Sequence, residues 1–132
     1  MTSYLLDTNH VSGILQRNNV LLQRMSASPD AEYSLSVPVV AELWFMVYNS
    51  ERIASNSANL KKAIRNYKRW PFRIRAAEEF GKIKAELRRL GRPIQDIDVQ
   101  IAAIARVNDL VLLSDDQGFA HIQGLKLENW LR

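Results

Sequence analysis

Short apolar runs, each followed by helical sequence, constrain this chain more than any other feature. SYLL (residues 3–6), YSLSV (33–37) and LVLL (110–113) are too short for helices and read as strands. Between them the apolar residues recur at helical spacing. Val11, Ile14 and Leu15, then Val20, Leu21, Leu22 and Met25, predict two short helices broken at Asn18-Asn19, before a loop at 26–30. Pro38 suits the first helical position and predicts a helix to about Tyr48. Further helices are predicted over 57–69 (Leu60, Ile64 and Tyr67 on one stripe), 76–91 and 98–108. In the second of these, Ala76, Phe80, Ile83, Leu87 and Leu90 share a face, and Gly91 falls where a C′ glycine belongs. Residues 70–74 predict a short strand and 125–128 an edge strand. Alternating helices and apolar strands predict an α/β fold with a mainly parallel sheet covered on both faces. Ligands of such sheets bind beyond the carboxyl ends of the strands.

A chain of 132 residues predicts one domain, 1–132, able to bury roughly two-thirds of its unfolded surface. With no cysteine, disulfides, thiolate metal sites and a cysteine nucleophile are excluded. No apolar run approaches 18 residues and no leader pattern is present, so a cytoplasmic protein without membrane contact is expected. The net charge of +4 is unevenly spread: residues 61–92 hold twelve Lys/Arg against three Asp/Glu, a net of +9, leaving −5 elsewhere. A basic block is often only a solvated helix face, but it also favours polyanions as partners.

The acidic residues stand where that distinction is decided. Asp7 ends SYLL, and Asp115 and Asp116 follow LVLL, so both strands deliver carboxylates to the same sheet edge. Asp7 and Asp116 would equally serve as helix N-caps. Glu42 is the one charge in VPVVAELWFMVY (37–48), where an unpaired buried carboxylate costs on the order of several kcal/mol. In GRPIQDIDVQIAAIA (91–105), Asp98 opens a helix and Asp96 lies in the loop before it; one can cap the helix, and the other needs a different reason. If Asp7, Glu42, Asp98 and Asp116 converge, they raise one another's pKa. A hard cation, Mg2+ or Mn2+, relieves that repulsion. Such a site beside a basic surface suits phosphodiester hydrolysis. His10 and His121 have no partner at metal spacing; His121 reads as a surface or structural residue, and His10 reads the same way although it lies near the site in sequence, while Trp44, Trp70 and Trp130 read as core or interface residues.

LLDTN (5–9), VVAEL (39–43), GRPIQDIDVQIAAIA (91–105) and LLSDDQGF (112–119), in this order across the whole chain, resemble the PIN-domain ribonucleases, and within them the VapC toxins of VapBC toxin–antitoxin pairs. The resemblance implies a three-layer α/β/α PIN-like fold. It implies Asp7, Glu42, Asp98 and Asp116 as the catalytic and metal-binding set, with Asn9 and Ser114 as supporting polar residues. The fourth acidic position follows Ser114 by two, which selects Asp116 with Asp115 as the alternative; Asp96 sits where no acid is required. Met46, Val39 and Ser114 depart from the commoner small, hydroxyl and threonine residues of the pattern without removing a carboxylate.

By the same resemblance the chain is the toxin of a type II toxin–antitoxin system and an Mg2+-dependent endoribonuclease. The expected substrates are structured RNAs: tRNA, initiator tRNA among them, or rRNA. The expected partners are a cognate VapB-type antitoxin, a second copy in a homodimer, and a higher toxin–antitoxin complex. Lys61, Lys62, Arg65, Lys68, Arg69, Arg88, Arg89 and Arg92 are the expected RNA-backbone contacts. The alternative is a catalytically weak PIN-like module that binds RNA or protein, which predicts loss of a carboxylate. An aspartyl-phosphate enzyme of the haloacid dehalogenase type needs a second Asp two residues after the first, where this chain has Asn9.

Overall fold

The computed structural model describes all 132 residues. Five strands form one sheet: β1 (Ser3–Leu6), β2 (Glu32–Ser36), β3 (Lys68–Trp70), β4 (Val111–Leu113) and β5 (Lys126–Glu128). Their order is β3-β2-β1-β4-β5 and every neighbouring pair is parallel, so the sheet is wholly rather than mainly parallel. Six helices connect and flank them: α1 (Thr8–Leu15), α2 (Asn19–Ser26), α3 (Val37–Tyr48), α4 (Ile53–Arg65), α5 (Ile74–Arg89) and α6 (Asp96–Val107). A 3-10 turn, Gln117–His121, follows β4.

The central strands β1 and β4 explain the three layers. Leu5 and Leu6, like Leu112 and Leu113, are consecutive and fully buried. Successive strand residues point to opposite faces, so both faces must be covered. α5 packs on α6, and α3 on α4. In α6, Ile101 through Ala105 are all fully buried, and three of these five are alanines. Small side chains let its backbone approach the rest of the core closely while the isoleucines fill it. Each fully buried Leu or Ile contributes roughly 1.5–3 kcal/mol.

Several boundaries differ from the sequence reading. α4 begins at Ile53 rather than 57, because Arg52 sits at its N-cap without a side-chain cap bond and leaves no start signal. It ends at Arg65, and Tyr67 lies beyond it. The third strand is Lys68–Trp70 rather than 70–74: these residues pair with Ser34–Ser36, and Pro71, which has no N–H, cannot continue the ladder. Lys68 and Arg69 are therefore on an edge strand. α6 opens at Asp96, not Asp98, and Gln95 occupies its N-cap without a side-chain bond, so neither aspartate caps it. Leu90, expected on the buried stripe of α5, is 59% exposed at the helix end. Gly91 takes φ +66, as a C′ glycine does.

α3 corrects a further inference. Apolar residues surround Glu42 on every side of the helix, which favours a buried over a surface glutamate. Leu43 and Val47 do face the core, but Phe45 and Tyr48 are 68% and 65% exposed, and Glu42 is half-buried. The helix has one apolar face inside and another outside.

Candidate active site

Because β1 and β4 are adjacent and parallel, their carboxyl ends meet on one edge of the sheet. The Asp7 N–H donates to the Leu113 carbonyl (3.0 Å), which carries the ladder one residue past β1. Asp7 is thus fixed in the backbone before its side chain does anything. That side chain is 5% exposed. Its Oδ1 accepts from the Thr8 N–H (2.8 Å), capping α1, while its Oδ2 accepts from the Ser114 hydroxyl (2.7 Å) and from Asn9 Nδ2 (3.4 Å). Asp116 caps the 3-10 turn through the Gly118 N–H (2.9 Å), and the Ser114 oxygen accepts from the Asp116 N–H (3.0 Å). Capping and site formation are therefore not alternatives: both aspartates do both.

Asp7, Glu42, Asp98 and Asp116 line one cleft of about 540 Å³. Four elements deliver them: the end of β1, the second turn of α3, the first turn of α6 and the segment after β4. Thr8, Asn9, Ser12, Gln16, Asn18 and Gln95 add neutral polar groups, and Met46 and Leu131 form the apolar wall. Glu42 Oε1 accepts from the Thr8 hydroxyl (3.0 Å). Asp115 does not line this cleft; its N–H donates to Asn9 Oδ1 (3.3 Å). Asp96 is turned away and pairs with Lys84 (2.9 Å) in solvent.

The electrostatics follow from this crowding. Burial raises the Asp7 pKa, the Ser114 and Thr8 hydrogen bonds lower it, and the charges of Glu42 and Asp116 raise it further. Asp98 is pushed up to about 6, first by burial and then by Asp7, Asp116 and Glu42. No lysine or arginine lines the cleft to offset them. The carboxylates stand apart: no three His, Cys, Asp or Glu side chains are gathered as they would be around a bound metal ion. The charged donor set is nonetheless all carboxylate oxygen, with no thiol or imidazole, in an open cleft. That fits a hard divalent cation that keeps several of its own waters.

None of the eight basic residues named above is on the cleft wall. Lys62 lines an adjoining groove of about 870 Å³ between α1–α2, α3 and α4, which shares Ser12, Gln16 and Met46 with the cleft. Lys61 and Arg65 lie on the same helix, Lys68 and Arg69 on β3, and Arg88, Arg89 and Arg92 at the end of α5; all are exposed. Sequence reasoning missed Thr8, whose place inside the Asp7–Asn9 triplet was the available signal. It also missed Gln16, Gln95 and Leu131, which enter the cleft only through tertiary packing.

Comparison with known proteins gives this geometry its relatives. The PIN domain family matches residues 4–125. The chain is 32% identical to Ribonuclease VapC2 of Haemophilus influenzae over 133 aligned positions, covering 99% of this chain and 100% of that one. It is 25% identical to the tRNA(fMet)-specific endonuclease VapC of Shigella flexneri, over 98% of this chain and 99% of that one. Among solved structures, VapBC2 from Rickettsia felis bound to a promoter DNA fragment superposes with a TM-score of 0.90 at 25% identity, over 98% and 99% of the two chains. DNA-bound VapBC from Salmonella typhimurium gives 0.89 at 26%, with the same coverage. A parallel sheet that brings four carboxylates to one edge, and a family match over nearly the whole chain, place this protein in the PIN domain family, among the VapC ribonucleases.

Proposed function

We propose that the chain, acting as one domain over residues 1–132, is the toxin of a VapBC-type pair and an Mg2+-dependent endoribonuclease. The observation that carries this reading is the convergence of Asp7, Glu42, Asp98 and Asp116 on one cleft without a cation among its lining residues. Asp7, Glu42, Asp98 and Asp116 would hold Mg2+ or Mn2+, which when bound neutralises the cluster and polarises a phosphoryl oxygen. Asp7 is the anchor of the set, because Ser114, Thr8 and Asn9 fix its carboxylate. A carboxylate of the set would accept the proton of the attacking water, and Asp98 faces the same cleft from the first turn of α6. Thr8 holds Glu42 through its hydroxyl. In-line attack by water leaves a 5′-phosphate and a 3′-hydroxyl; a 2′,3′-cyclic phosphate would require attack by the ribose hydroxyl and would overturn the mechanism.

The substrate is a structured RNA. The Shigella flexneri relative is named for initiator tRNA, which makes a tRNA the first to test and rRNA the second. Lys62 in the adjoining groove, with Lys61 and Arg65 on its helix, is placed to hold backbone leading to the cleft. Lys68, Arg69, Arg88, Arg89 and Arg92 extend the cationic surface. A VapB-type antitoxin is the cognate partner: the Rickettsia and Salmonella neighbours are VapBC complexes. The exposed apolar face of α3, with Phe45 and Tyr48, supports a protein contact there, either the antitoxin or a second copy. No helix is long and apolar enough to cross a membrane.

The deciding experiment incubates antitoxin-free protein with total bacterial RNA, comparing wild type, Asp7→Asn and Asp98→Asn in Mg2+, Mn2+ and excess EDTA. Discrete fragments that require both the metal and the carboxylates establish the nuclease, and their sequenced ends identify the target. Folded wild type that cuts nothing under any metal would make the chain a binding module instead.

A further inference from the structure

His10 is the one histidine in the core, wholly buried three residues after Asp7, and the mechanism above does not use it. Its two ring nitrogens have different partners. Nε2 faces the backbone N–H of Trp130 at 3.0 Å. An N–H can only donate, so Nε2 accepts and carries no proton. The ring proton is then on Nδ1, which faces Asn9 Oδ1 at 2.6 Å and donates to it. Burial lowers the pKa of the ring to about 4, although Asp115 opposes this, so the neutral tautomer persists at ordinary pH.

That tautomer decides which way Asn9 points. With Oδ1 taken by His10 and by the Asp115 N–H, Nδ2 faces Ser114 Oγ (3.2 Å) and Asp7 Oδ2 (3.4 Å). A flipped amide would set a carbonyl oxygen against the Asp7 carboxylate and an NH2 against the His10 N–H, two repulsive contacts in place of two attractive ones. The far end of the chain of bonds is equally fixed. The Trp130 side chain is 2% exposed, packs on Tyr4 with centroids 4.7 Å apart, and donates from Nε1 to Glu128 (2.9 Å). Arg24 lies over its ring at 4.8 Å.

We propose that His10, as the Nδ1–H tautomer, is a positioning residue. Its Nδ1 proton orients the Asn9 amide, and through it the Asp7 carboxylate, while the Trp130 bond fixes the ring in that tautomer. The inference rests on the reading of Asp7 as the anchor of the nuclease site. Removing such an outer hydrogen-bond partner costs roughly ten- to hundredfold in activity or metal affinity.

Two isosteric substitutions separate the halves of the link. His10→Asn places an amide NH2 where Nδ1 was, so it keeps the donor to Asn9 and leaves the Trp130 N–H unpaired. His10→Gln places an amide oxygen where Nε2 was, so it keeps the acceptor for Trp130 and removes the donor to Asn9. The expected result is an inverted order. H10Q melts close to wild type but loses roughly ten- to hundredfold in kcat with KM little changed. H10N melts lower and restores most of the kcat that H10Q loses. A merely structural histidine would make activity follow melting temperature, and that result, or equal kcat in the two variants, overturns the proposal. Nitrogen-15 NMR of wild-type His10 tests it without a variant: a proton on Nε2 rather than Nδ1 at neutral pH also overturns it. If wild type cleaves no RNA with any metal, the nuclease reading is what has failed. Positioning is then judged by Mn2+ affinity, expected to fall in H10Q and not in H10N, with equal affinities refuting it.

Discussion

At the scale of single residues, the site stores repulsion that only a cation or a proton relieves. The Asp98 pKa of about 6 in the folded state exceeds its unfolded value of 3.8, so the folded protein binds that proton more tightly. The stabilisation this gives is fully present below the unfolded pKa and is lost as pH rises through about 6. His10 has the opposite sign: its contribution is present above 6.5 and is lost as pH falls toward about 4. The two windows overlap, so a melting curve of wild type alone cannot separate them. The difference between Asp98→Asn and wild type can. Without metal, D98N should gain melting temperature relative to wild type between pH 4 and about 6, then hold a constant lead; a flat difference would show that Asp98 titrates normally. Adding Mn2+ at neutral pH should erase that lead by raising wild type more than D98N. Ser114→Ala should act on Asp7 instead. It removes a 2.7 Å bond that lowers the Asp7 pKa, so the acid limb of the kcat/KM profile should move to higher pH. The loss of stability should be about 1–3 kcal/mol, read from urea unfolding.

At the scale of elements, each carboxylate depends on how its helix or strand begins and ends. α6 shows this most directly, because Asp96 and Asp98 share its first turn yet point apart. Two residues on a helix differ by about 200° in direction. Asp96→Asn loses only an exposed pair with Lys84 and should change stability by no more than about 0.5 kcal/mol, with cleavage retained, whereas Asp98→Asn should abolish cleavage. α3 depends on its cap: Ser36 is fully buried and its hydroxyl accepts from the Val39 N–H at 3.2 Å. Ser36→Ala should cost about 1 kcal/mol in chemical denaturation. What the sequence made legible follows the same division. β1 and β4 could be read because they are continuous apolar runs, and Asp7 and Asp116 because charge terminates such runs. Asp98 and Glu42 stood out as isolated charges in apolar helices. α4 and β3 were misplaced because one lacks a capping residue and the other is three residues of edge strand carrying two cations. His10 could not be recognised, since a polar residue in the first turn of a helix is ordinary until its distant partner, Trp130, is known; Thr8 had only its place between Asp7 and Asn9 to mark it.

At the scale of the whole molecule, charge is divided between an acidic cleft and a basic remainder. If the cations of α4 hold RNA beside that cleft, neutralising Lys61, Lys62 and Arg65 together should weaken substrate binding and flatten its dependence on salt, with kcat little changed. Binding measured from low to moderate salt checks this; an unchanged slope would move the RNA path to the Arg88, Arg89 and Arg92 surface. The sheet order has another consequence. The adjacent strands β1 and β4 lie far apart in sequence, and the bond from Ser114 to Asp7 spans 107 residues. β1 therefore waits, with one of its two neighbours missing, until β4 has been made. Contacts this remote in sequence form late and slowly. A chain still on the ribosome, or one cut short before β4, holds at most three of the four carboxylates and lacks the Leu113 and Ser114 bonds that seat Asp7. For the ribonuclease proposed above, synthesis would thus be a period without activity: the weapon is armed only after β4 and Asp116 have been translated.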